Sequence, residues 1–169
     1  PRYYGKVINA PDFLSYDVYL NGQRLDLAKA DILDFYREID MFTGVMERSM
    51  RAGTQWGEVR IRSQRFFSRR RKEVCITKYS LESAGFAGEG EIRCGINANV
   101  GNTDANYGGQ FWQVEKTAAG KTLCLVAQTH QNPFGVEQFT VAIQSGIRTG
   151  GKECTLTQTS EERAAWNVY

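Results

Sequence analysis

EIRCGINANV, residues Glu91–Val100, sets Ile92, Cys94, Ile96, Ala98 and Val100 on one side of an extended chain and Glu91, Arg93, Asn97 and Asn99 on the other. A period of two marks a half-buried strand, because successive side chains of a strand leave opposite faces. The same period runs outward in both directions. Val59 and Ile61 alternate with Glu58, Arg60 and Arg62, and Cys75, Thr77, Tyr79 and Leu81 form a further set. Leu123 to Ala127 is nearly continuous apolar sequence, which predicts a strand covered on both faces. Phe139, Val141 and Ile143 close the series, followed by a weaker Cys154 and Leu156 pair.

Toward the amino terminus, Val18 and Leu20 precede Asn21-Gly22, a dipeptide whose members tolerate the positive φ of a type I′ hairpin; Leu25 and Leu27 lie on the return strand. Leu33, Phe35, Ile39 and Met41 then share a face interrupted by Arg37, up to a turn carrying Thr43-Gly44, and Val45 begins a second return strand. Roughly ten short strands with Gly-rich turns between them call for an all-β sandwich or barrel. Residues 1–159 are expected to form that β domain. Residues 160–169 read either as the start of a helix, with Ser160 as cap and Glu161 and Glu162 at its positive end, or as a terminal tail.

At 169 residues the chain suits one domain, which buries about 70% of its unfolded surface. With 41% hydrophobic and 24% charged residues, and 17 glycines against 3 prolines, it is neither disordered nor collagenous. A net charge of +2 is too mild to name a polyanionic partner. No apolar stretch approaches the ~20 residues of a membrane span and the amino terminus lacks the basic-then-apolar layout of a signal peptide, so the expectation is a cytoplasmic chain with no membrane partner. A start at Pro1 without methionine reads as an excised piece. Cys75, Cys94, Cys124 and Cys154 are spread evenly, without zinc-like spacing, so no metal site or other cofactor is expected. Each sits in an alternating run and reads as a reduced thiol packed like a small hydrophobe.

The carboxylates, Glu58, Glu91 and Glu115 among them, fall on polar strand faces or in turns, where solvation explains them, and none is assigned as a catalytic acid. His130 is the single histidine, and THQNPFG around it reads as a loop, with Pro133 and Gly135 shaping the backbone; a catalytic triad lacks partners there. RSQRFFSRRRK, Arg62 to Lys72, mixes cations with Phe66 and Phe67 as nucleic-acid grooves do. A strand pair explains it better, with Phe67 continuing the inward face of Val59 and Ile61 and the cations at the turn, so no nucleic-acid partner is expected. NTDANYGGQFW, Asn102 to Trp112, carries more chemistry: amides and a carboxylate beside flat aromatic faces, the combination that binds pyranose rings. Asn106, Tyr107, Phe111 and Trp112 are the candidate residues, facing either a sugar or a neighbouring domain.

Four blocks in order carry a resemblance: YYGKVINAPDF (Tyr3 to Phe13), NGQRLDL (Asn21 to Leu27), REIDMFTGVMERS (Arg37 to Ser49), and GNTDANYGGQFWQVEK with HQNPFGVEQFTV (Gly101 to Val141). From Tyr3 to about Arg148 the chain resembles the amino-terminal domain of glycoside hydrolase family 65, most closely among the maltose phosphorylases. The resemblance implies a galactose-mutarotase-like antiparallel supersandwich, here lacking the family's upstream Gly-Asn-Gly element, so that the sandwich lacks strands or is completed by a partner chain. It also implies a parent enzyme, a family homodimer, that cleaves an α-glucoside disaccharide with phosphate and needs no metal. The catalytic acid and phosphate site of that family belong to a downstream α/α barrel, so the implied role of this chain is non-catalytic support of the barrel. The rival expectation is a free-standing carbohydrate-binding sandwich.

Overall fold

The computed structural model describes residues 7–102, 110–132 and 135–150, together with the backbone of 152–153, 157–158 and 163–168. In chain order the strands are β1 (Tyr16–Leu20), β2 (Gln23–Arg24), β3 (Asp31–Asp40), β4 (Val45–Thr54), β5 (Gly57–Phe67), β6 (Cys75–Ala84) and β7 (Gly90–Asn97). They continue as β8 (Trp112–Ala118), β9 (Leu123–Thr129), β10 (Thr140–Ser145), β11 (Arg148–Thr149), β12 (Lys152–Glu153), β13 (Thr157–Gln158) and β14 (Arg163–Val168). Every pairing between named strands is antiparallel where its register is defined, and the described residues contain no helix. The all-β expectation holds. The chain groups into two compact units, 1–18 with 91–169 and, inserted between them in sequence, 19–90.

The first unit is a sandwich. One of its sheets runs β13-β14-β7-β1, and the other is the meander β10-β9-β8. Cys94, Ile96 and Ala98 from the first sheet and its continuation meet Trp112, Leu123, Leu125 and Ala127 from the second in one buried core, with Val141 and Ile143 packed against it. The stripe over Glu91–Val100 therefore faces inward as its alternation predicts. Leu123, Leu125 and Ala127 are fully buried while Cys124 and Val126 are half-buried, so β9 is covered completely on one face and partly on the other.

Two expectations are corrected in this unit. Residues 163–168 are strand β14, paired with β7 from Arg163↔Asn97 to Val168↔Ile92, and not the start of a helix. A local capping signal yields to the open hydrogen-bonding edge of β7, which satisfies one row of backbone groups along the whole segment. Glu91 is not solvated: it is 8% exposed, and Arg93 donates Nε–H to its Oε1 at 2.7 Å and an Nη2–H to its Oε2 at 3.0 Å. Burial of that carboxylate is tolerated because a forked guanidinium two residues along the same strand neutralises it.

The second unit holds the four-stranded sheet β3-β4-β5-β6. Asn21 (φ 50) and Gly22 (φ 77) make the positive-φ turn between β1 and β2, as that dipeptide predicts. One face of the sheet carries Met50, Ala52, Val59 and Ile61, all 0–2% exposed. The opposite face is charged and internally compensated, with Arg51 beside Glu58 at 3.5 Å and Gln64 Nε2 donating to Glu47 Oε2 at 3.1 Å. β3 is exposed along its whole length, Leu33, Phe35 and Ile39 included. Its register against β4 shifts between Ile32 and Asp34, which places Leu33 in a bulge. Phe67 also ends in solvent at 52% exposure, because β5 overruns the covered part of its own face. The arginine-rich stretch after it is the connection to β6, where Ser68 N–H and Val74 O pair at 2.9 Å.

Candidate functional site

The sequence singles out the loop between β7 and β8, and the structure describes both of its ends. On the β7 side, Asn97 and Asp12 exchange two backbone hydrogen bonds of 2.8 Å, which fastens residues 9–14 beside the strand. Asn9 then becomes a hub. Its backbone N–H donates to Asn102 Oδ1 at 3.0 Å, its Nδ2 donates to the Gly101 carbonyl at 3.0 Å, and Asn102 Nδ2 donates to the Val7 carbonyl at 2.9 Å. On the β8 side, Gln110 Nε2 donates to Asn99 Oδ1 at 2.7 Å, while His130 N–H donates to the Phe111 carbonyl at 3.0 Å. Both loop ends are thus held by amide side chains, with Asn102 supplying donor and acceptor together.

Trp112 is the centre of this arrangement, and its placement corrects the sequence reading. The ring is 4% exposed, lies in the same core as Ile96 and Leu125, and meets Phe139 edge-on with centroids 5.4 Å apart and planes at 89°. Its indole N–H donates to the Asn9 carbonyl at 2.8 Å. A large ring at the first residue of β8 buries more area inside the sandwich than a hairpin tip would, and its one polar group finds an acceptor. Trp112 therefore faces neither a sugar nor a neighbouring domain. Phe111 is half-buried and packs against that core. Asn106 and Tyr107 lie outside the described residues.

Beside the anchored loop end is an open cleft of about 470 Å³ lined by Asn9, Pro11, Asp12, Phe13, Leu14 and Gly101 among others. Its polar groups are largely committed: Asp12 Oδ1 accepts from Leu14 N–H at 2.8 Å, and Asn9 uses both its main-chain and side-chain N–H groups as above. Chemically this region braces and presents a loop. The asparagine network went unrecognised in the sequence, although the repeated amides Asn97, Asn99 and Asn102, and Asn9 before Pro11, were the available signal. His130 is an exposed loop residue, and Cys75, Cys94 and Cys124 are in no disulfide, with burial raising the Cys75 pKa against the lowering effect of Thr77 and Arg65. Among the described residues no His/Cys/Asp/Glu cluster has the grouping of a metal site, and no helix is long and apolar enough to cross a membrane.

The family model described as "Glycosyl hydrolase family 65, N-terminal domain" matches residues 1–169. The chain belongs to that family. It is 40% identical over 154 residues to a maltose phosphorylase of Bacillus subtilis (strain 168), a match covering 89% of the chain and 20% of that protein. It is 22% identical over 138 residues to an α,α-trehalose phosphorylase of Thermoanaerobacter brockii, covering 76% of the chain and 18% of that protein. A solved structure described as a kojibiose phosphorylase from the human microbiome shares the fold with a TM-score of 0.60 at 16% identity, over 95% of the chain and 22% of that structure. This family 65 chain thus spans about a fifth of the length of the curated relatives it matches.

Proposed function

We propose that this family 65 chain is the non-catalytic amino-terminal domain of an inverting disaccharide phosphorylase that converts maltose and phosphate to glucose and β-glucose 1-phosphate. One observation carries the reading: the family match extends over the whole chain, and the chain is 40% identical to a maltose phosphorylase of which it spans only 20%. In such an enzyme a carboxylic acid protonates the leaving glycosidic oxygen while phosphate attacks the anomeric carbon from the opposite side, which inverts the centre without a second carboxylate. Both groups are assigned to the α/α barrel. This domain supports the barrel and walls its entrance, and the enzyme works as a cytoplasmic homodimer without a metal.

The free-standing sugar-binding alternative is weakened by Trp112, because the aromatic platform it requires loses its largest ring to the core. The test is an assay of the full-length protein with phosphate and maltose, trehalose or kojibiose in turn. Release of β-glucose 1-phosphate from maltose in preference to the others is expected. Equal or greater turnover of another disaccharide, or an α-anomeric product, would overturn the assignment.

A further inference from the structure

The four-stranded sheet of the second unit has two unlike faces. Registers across β3, β4, β5 and β6 set Phe35, Arg37 and Ile39 beside Met46, Arg48 and Met50, with Arg65 opposite Met46 and Phe67 opposite Cys75. Among the described residues of these strands, no Asp or Glu alternates onto that face; Asp34, Glu38, Asp40, Glu47, Glu58 and Glu82 all fall on the other. The apolar half continues into solvent, with Phe35 at 56% exposure, Ile39 at 55%, and the hairpin tip Met41 and Phe42 at 88% and 92%.

Its arginines are under-served. Arg37 stands directly opposite Arg48, a like-charge pair that disfavours the isolated sheet. Among the described residues Arg37 reaches only the Met46 sulfur, at 3.7 Å, and the buried Arg65 Nε has no hydrogen-bond partner. Among the described residues no carboxylate lies within ion-pair distance of Arg37, Arg48 or Arg65. The tip is also held in place. Asp40 accepts from Phe42 N–H (2.8 Å), Thr43 N–H (3.4 Å) and the Thr43 hydroxyl (2.7 Å), and Gly44 N–H returns to the Asp40 carbonyl at 2.7 Å.

We propose that this face, from Phe35 and Arg37 across Arg48 to Arg65 with the Met41-Phe42 tip, docks a protein surface that presents carboxylates around apolar side chains, supplied by the remainder of the same polypeptide. The inference rests on the reading that the chain is one domain of a longer enzyme, and the relatives it spans to only 20% and 18% have the polypeptide to supply such a surface. A second copy docked by the same face is disfavoured, because a two-fold contact sets arginines against arginines. Phosphate-rich surfaces are disfavoured as well, since Asp34, Glu38 and Asp40 line the same edge strand.

Hydroxyl-radical footprinting of the full-length protein, beside the 169-residue chain, tests this. Phe35, Ile39, Met41, Phe42 and Met46 should label several-fold more slowly in the full-length protein, independently of concentration. Arg37→Glu with Arg48→Glu should restore labelling there while the Trp112 peptide stays protected, and Arg37→Lys with Arg48→Lys should keep most of the protection. Equal labelling in the two proteins, protection lost on dilution, or protection indifferent to charge reversal would each overturn the proposal. A full-length protein without phosphorylase activity but with this protection would instead sink the functional reading and leave the docking face standing.

Discussion

Trp112 joins two jobs in one side chain. Its ring fills the sandwich beside Ile96 and Leu125, and its N–H fixes Asn9, which in turn holds Asn102 at the near end of the β7–β8 loop. Replacing it by alanine removes a buried aromatic and leaves the Asn9 carbonyl without its donor, at an expected cost of about 3 to 5 kcal/mol. Trp112→Phe should lie between, keeping much of the packing and losing the hydrogen bond. Urea unfolding followed by circular dichroism measures both. A change within about 0.5 kcal/mol for Trp112→Ala, the range of ordinary surface positions, would contradict its core placement.

Among the elements, the β3–β4 hairpin makes the most specific claim about pH. Hydrogen bonds from the Thr43 hydroxyl first, and then from the Phe42 and Thr43 N–H groups, favour the ionised Asp40 carboxylate and hold its pKa below the ordinary aspartate value. For a lowered carboxylate the contribution to the turn is fully present above the unfolded pKa and is lost as pH falls through the folded one. A carboxyl-detected NMR titration should show Asp40 titrating low, with Thr43→Ala moving its midpoint upward; an unmoved midpoint would contradict the bonding scheme. The hairpin also shows what sequence could tell. The Asn21-Gly22 turn and the Glu91–Val100 stripe were legible because φ preference and alternation are local properties. The Leu33 bulge, the pairing of β14 with β7, and the burial of Trp112 were not. Each depends on a partner distant in the chain: Asn9 lies 103 residues from Trp112, and β14 becomes a strand only where the edge of β7 receives it. Glu91 was misread for a nearer reason, since alternation assigns a face without saying which neighbour will neutralise it.

For the whole molecule, the sandwich of the first unit and the sheet of the second provide a scaffold in which Asp12, Asp40, Glu58 and Glu91 are engaged in turns and ion pairs. The proposed role is support of catalysis, with none performed by the chain itself. The most direct measurement incubates the purified 169-residue chain with maltose and phosphate beside the full-length protein, and assays glucose 1-phosphate in both. Product from the full-length protein and none above a mock preparation from the chain is the predicted result. Turnover by the chain alone would contradict the account.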